Sequence, residues 1–95
     1  MRKWSDVEKE LFTPTEIQES RLRVAIISEF IKARNAQGLS QREIGQMSGI
    51  KQPVISRMES GETSPQLDTV LRVLAPLGKT LYVGDISDSK ISATG

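Results

Sequence analysis

Residues 40–59, SQREIGQMSGIKQPVISRME, carry the pattern of two short amphipathic helices hinged at a glycine. Ser40 followed by Glu43 is the S-x-x-E capping box, in which each residue satisfies a backbone N–H of the other, so a helix is expected over residues 41–47. Gly49 supplies the turn, and a second helix is expected over residues 52–59. Pro53 suits that helix because it falls in the first turn, where backbone donors have no internal partner. Two helices this short cannot bury enough apolar surface to be stable in water, so the rest of the chain must supply a supporting body.

That body is legible on both sides. Before the pair, residues 16–37 place Ile17, Leu22, Ile26, Ile27, Phe30, Ile31 and Ala33 at helical spacing, with Gly38 positioned to end the helix in a left-handed cap. After it, SPQLDTVLRVLAPLG (residues 64–78) starts with serine and proline and continues with Leu67, Val70, Leu71 and Leu74, so a further core helix is expected there. Trp4, Val7 and Leu11, within WSDVEKELF (residues 4–12), mark a short N-terminal helix ahead of Pro14. LYVGDI (residues 81–86) reads as a β-strand with no partner in its own chain, and the polar tail over residues 87–95 is expected to be disordered.

Composition narrows the class. A chain of 95 residues makes one modest core. With 13 basic and 12 acidic residues it cannot grip nucleic acid by bulk charge, so any such contact must be local. It has no cysteine and no histidine, which removes disulfides, thiolate chemistry, imidazole catalysis and the usual zinc ligands. No phosphate-binding glycine loop is present, and the carboxylates lie among lysines and arginines at solvent-facing helical positions, so the chain is read as non-enzymatic with no cofactor. The longest apolar run, VAII, is far short of a membrane span, and the start has no secretory core; a cytoplasmic location is expected, without membrane or small-molecule partners. With four aromatic residues in all, the chain also offers no stacking platform for single-stranded RNA.

The central pair meets the requirements of a helix-turn-helix: Gly45 where the helices cross, Gly49 in the turn, and Ile44, Ile50, Ile55 and Met58 as apolar pins. The free face then presents Lys51, Gln52, Pro53, Ser56 and Arg57 from the start of the second helix, the part that enters a major groove. Gln can bond adenine in two places and Arg guanine likewise. Gln41 and Arg42, at the front of the first helix, and Thr63, in the following loop, are candidate phosphate contacts. On an exposed helix any one of these residues is usually only solvated; their clustering at one end favours DNA.

The segment GLSQREIGQMSGIKQPVISRMESG, within residues 34–77, resembles the helix-turn-helix domain of the Cro and phage-repressor family, also called the XRE family. With the flanks WSDVEKELFTPTEIQES, RVAIISEFIKARN and TSPQLDTVLRVLAPLGKTLYV, residues 4–83 are similar to HigA-type antitoxins of bacterial toxin–antitoxin modules. The resemblance implies a mainly α, five-helix lambda-repressor-like domain over residues 16–80, with an additional N-terminal helix within residues 1–15 and a short C-terminal strand used in dimerisation. It implies DNA contacts from Gln41, Gln52 and Arg57, and an ion pair between Arg34 and Glu59. Three residues depart from the family pattern: Gly45 in place of the common alanine, Lys51 in place of a capping serine or threonine, and Glu62 where a basic residue is frequent.

A HigA-like chain would bind a RelE/HigB-like toxin that cleaves messenger RNA, and would repress its own operon by binding operator duplex as a homodimer. Trp4, Val7, Leu11 and Phe12 are the candidate toxin contacts; the alternative is that they staple onto the chain's own core. Leu74, Leu77, Leu81, Tyr82, Val83 and Ile86 are candidates for the dimer interface, or LYVGDI packs across its own core. A plain phage- or plasmid-type regulator with no toxin partner is the competing reading.

Overall fold

The computed structural model describes residues 14–85. Its elements, in order, are α1 (Pro14–Ala36), α2 (Gln41–Ser48), α3 (Gln52–Ser60), α4 (Leu67–Leu74) and a 3-10 turn (Ala75–Leu77). The described part is thus mainly helical with four α-helices, and the expected N-terminal helix lies outside it, as do Trp4, Val7, Leu11, Phe12, Ile86 and the tail.

The spine helix α1 begins at Pro14, two residues earlier than its apolar pattern suggests, because proline is suited to the first helical position. It ends in a Schellman motif: Gly38 sits at φ 68°, and the Leu39 N–H donates to the Arg34 carbonyl at 3.0 Å. The apolar face expected from Ile17 to Ala33 reaches the core only in its second half. Phe30 is buried, Ile26, Ile27, Ile31 and Ala33 pack around it, and Val24 is 63% exposed. The reason is length: α1 has 23 residues, about 34 Å at the α-helical rise, whereas α2 and α4 have 8 each, about 12 Å. The first half of α1 runs past the other described helices.

α2 carries the full capping box, with the Glu43 N–H donating to Ser40 Oγ at 3.0 Å and the Ser40 N–H to Glu43 Oε1 at 3.1 Å. Gly49, at φ 76°, reverses the chain into α3. The pins behave as expected from their spacing: Ile44, Ile55 and Met58 are essentially inaccessible, and Ile50 packs against them. Gly45 has a steric reason to be glycine, since a Cβ there would lie 2.9 Å from the Ile50 carbonyl oxygen and 3.6 Å from Ile55 Cδ1.

α4 begins at Leu67, two residues after Pro65, the first helical position expected from the sequence. Serine followed by proline suits an extended connection as well as a helix start, and here it serves to carry the chain from α3 back to the core. Leu67 and Leu71 are exposed at 66% and 41%, while Val70, Val73, Leu74 and Leu77 are buried. Leu74 and Leu77, expected at a dimer interface, are therefore core residues of the single chain. Pro76 converts the last turn to 3-10 geometry, and the Gln37 side-chain amide ties that turn to α1 by donating to the Leu77 carbonyl at 2.9 Å. No strand forms among the described residues; residues 81–85 lack regular structure, because a strand needs a second strand for its ladder. Leu81 packs on the core, whereas Tyr82 and Val83 are exposed.

Gly45→Ala tests the crossing. Helix propensity alone favours alanine by up to about 1 kcal/mol, but the close backbone approach reverses the sign. A net loss of about 1–3 kcal/mol is expected in urea unfolding; a gain in stability would show that the crossing has room for a methyl group.

Candidate nucleic-acid interface

The sequence of α3 divides its surface sharply. Ile55 and Met58, three residues apart, point into the core, and the face opposite them carries Pro53, Ser56 and Arg57. Lys51, Gln52 and Val54 flank that face and are exposed as well. Among the described residues, the side chains of Lys51, Gln52, Ser56 and Arg57 make no hydrogen bond or ion pair, so their polar groups are available to a ligand. Lys51 is the N-cap in extended conformation and makes no side-chain cap; Pro53 has no N–H to offer, and the Val54 N–H donates to the Lys51 carbonyl at 3.0 Å.

The aim of this helix is set at its other end. Arg34, in the last turn of α1, grips Glu59 through two hydrogen bonds of 2.8 Å, Nε to Oε2 and Nη2 to Oε1. Its third contact, Nη1 to the Leu39 carbonyl at 2.8 Å, includes the turn between α1 and α2. Gln41 Nε2 adds a bond to Glu59 Oε1 at 3.1 Å from the start of α2. The two charged side chains are only 12% and 9% exposed, so this is a shielded, bidentate pair rather than a surface contact. Two further ion pairs on α1, Arg23 with Glu19 and Lys32 with Glu29, are longer and solvated, and each contributes little.

The candidate DNA contacts are thus gathered unequally. Gln52, Pro53, Ser56 and Arg57 share one outward surface with Lys51 at its edge. Arg42 is exposed near the front of α2, and Thr63 is exposed in the loop after α3. Gln41 is half-buried, and its amide donates to Glu59, so it also buttresses α3. Sequence reasoning missed this role, and also the bonds from Arg34 to Leu39 and from Gln37 to Leu77. They depend on backbone carbonyls whose direction is set only when the turns form.

Residues 30–83 match the family described as helix-turn-helix. The chain belongs to that family, in its XRE class. An uncharacterised HTH-type transcriptional regulator of Haemophilus influenzae is 51% identical over 80 residues, spanning 84% of this chain and 82% of that protein. A chain from a toxin–antitoxin module of Streptococcus pneumoniae superimposes with a TM-score of 0.73 at 60% identity, over 90% of this chain and 96% of that one. The helix-turn-helix in this chain is α2 and α3, with α3 the second helix of the pair.

Removing either member of the shielded pair leaves the other charge without its partner. Arg34→Ala and Glu59→Ala are each expected to lose about 3–5 kcal/mol of unfolding free energy, measured by urea denaturation; a loss of only a few tenths would place the pair with the solvated ones.

Proposed function

We propose that this helix-turn-helix protein is the antitoxin of a type II toxin–antitoxin module: it binds a RelE/HigB-like, mRNA-cleaving toxin and represses its own operon by binding operator DNA as a dimer. The observation that carries the toxin half is the 60% identity, over nearly the whole chain, to a chain from a toxin–antitoxin module. The DNA half is supported by the outward, unengaged polar face of α3. In this reading Gln52, Arg57 and Ser56 meet base edges, while Lys51, Arg42 and Thr63 approach phosphates. Glu62, exposed next to Thr63, opposes phosphate binding, which limits the affinity of one copy.

Dimerisation supplies the missing affinity, since two recognition helices bind half-sites about one helical turn apart. Its interface draws on apolar groups exposed among the described residues, Leu67 and Leu71 on one side of α4 and Tyr82 and Val83 after it, the last two together with Ile86 forming the segment proposed for strand pairing with a second copy. Trp4, Val7, Leu11 and Phe12 are proposed as the toxin ligand. No described helix is long and apolar enough to cross a membrane. A cytoplasmic site of action agrees with both proposed partners.

A regulator without a toxin is the second reading, and the relative named as a transcriptional regulator favours it. The neighbouring reading frame separates the two, because only an antitoxin requires a small basic partner encoded beside it.

Two variants test the assignment. Deleting residues 1–13 is expected to abolish toxin neutralisation in a growth-rescue assay while leaving operator affinity within a few fold; loss of DNA binding would instead make that segment part of the chain's own core. Arg57→Ala is expected to relax sequence preference at one base pair and to lose about 1–3 kcal/mol in a salt-dependent binding series. An equal loss on all sequences would restrict Arg57 to a phosphate contact.

A further inference from the structure

Over Pro14–Ala36 the spine helix fully buries only Phe30, so its early turns contribute little to the core. They stand beside the loop that follows α3: Ser20, Arg23 and Val24 on one side and Glu62, Thr63 and Ser64 on the other line a single open groove. Among the described residues Arg23 is the cation that lines it. The anions there are Glu59, already held by Arg34, and Glu62, which is exposed. The Arg23 guanidinium contacts Glu19 of its own helix at 3.4 Å, with the two side chains 44% and 67% exposed, so that contact is given up at small cost. Ser20, Thr63 and Ser64 add hydroxyls, each able to donate to an anionic oxygen.

Resting on the DNA-binding role proposed above, we infer that Arg23 is a backbone anchor: it binds a phosphate of the operator duplex across the groove from Thr63, and supplies from the spine helix the positive charge that Glu62 takes away from the loop. That loop leads directly out of α3, so a duplex that meets the outward face of α3 brings its backbone to the edge of the groove. A guanidinium suits the contact, since its fork matches two phosphate oxygens at once. Phosphates are alike at every base pair, so Arg23 contributes affinity and register without preference for sequence. This separates its role from that of Arg57, proposed to read a base edge.

The test uses the full-length protein, the duplex upstream of its own reading frame and a scrambled duplex of the same composition. Binding is measured by fluorescence anisotropy over a range of salt for the wild type, Arg23→Gln, Arg23→Lys and Lys32→Gln, the last removing a charge from an exposed position of the same helix outside the groove. Arg23→Gln is expected to weaken binding by the same factor on both duplexes. Its deficit against wild type should shrink about ten-fold between about 50 and 200 mM salt, because each copy in the dimer releases one counterion fewer. Arg23→Lys and Lys32→Gln should keep the wild-type salt dependence, and adding Glu62→Lys to Arg23→Gln should restore it. Wild-type salt dependence in Arg23→Gln overturns the inference and leaves the DNA-binding role intact. An equal change in Lys32→Gln, a loss confined to the upstream duplex, or failure of Glu62→Lys to restore the salt dependence does the same. Absence of salt-dependent duplex binding by the wild type overturns the DNA-binding role and the anchor together. Melting temperatures close to wild type are expected for every variant, since the substituted positions are exposed.

Discussion

The paired guanidinium and carboxylate of Arg34 and Glu59 are the constraint on which the arrangement of helices depends. They are 25 residues apart in sequence, and their 2.8 Å bonds join the end of the spine to the end of the recognition helix. Through Leu39 and Gln41 the same cluster also holds the turn before α2 and its first residue. An apolar contact between α1 and α3 would resist separation but not rotation, because hydrophobic burial has no direction. A bidentate arginine has a fixed plane, so it sets the roll of α3 as well as its distance.

Roll matters because α3 has nine residues and only two fully buried anchors, Ile55 and Met58. With so few anchors, even a modest rotation would swing Ser56 and Arg57 out of line with a ligand. The core beneath is small, built from Phe30, Ile44, Ile55, Met58, Val70, Val73, Leu74 and Leu77. Every one of the four described helices contributes to it, so the recognition helix is not an appendage that can be exchanged without loss of the fold. The glycine at the crossing of α2 and α3 serves the same end, letting backbone meet backbone so that short helices share one core.

What could be read from sequence was what is determined locally. The capping box of Ser40 and Glu43, the left-handed turns at Gly38 and Gly49, and the pins Ile44, Ile55 and Met58 each follow from spacing over a few residues. Features that depend on how far one element extends over another were not legible. The apolar stripe of α1 continues to Ile17, but the other described helices stop short of it, and nothing in the stripe itself records that. The leucines of α4 and of the 3-10 turn follow one apolar pattern, yet Leu67 and Leu71 face solvent while Leu74 and Leu77 do not, a division fixed by the approach of α2 and the Gln37 bond to the final turn. In the interface, the exposure of Lys51, Gln52, Ser56 and Arg57 follows from the helix period, but the bond from Gln41 to Glu59 required three elements in place at once.

The claim that the ion pair aims the recognition helix, beyond stabilising it, is tested most directly by replacing both partners together. In Arg34→Met/Glu59→Leu no buried charge is left alone, so stability should recover to near the wild-type value or above it. Operator affinity, corrected for the folded fraction, should nevertheless fall at least ten-fold, a loss of about 1.4 kcal/mol, because the roll of α3 is no longer held. A stable double variant that binds the operator as tightly as wild type would contradict the account.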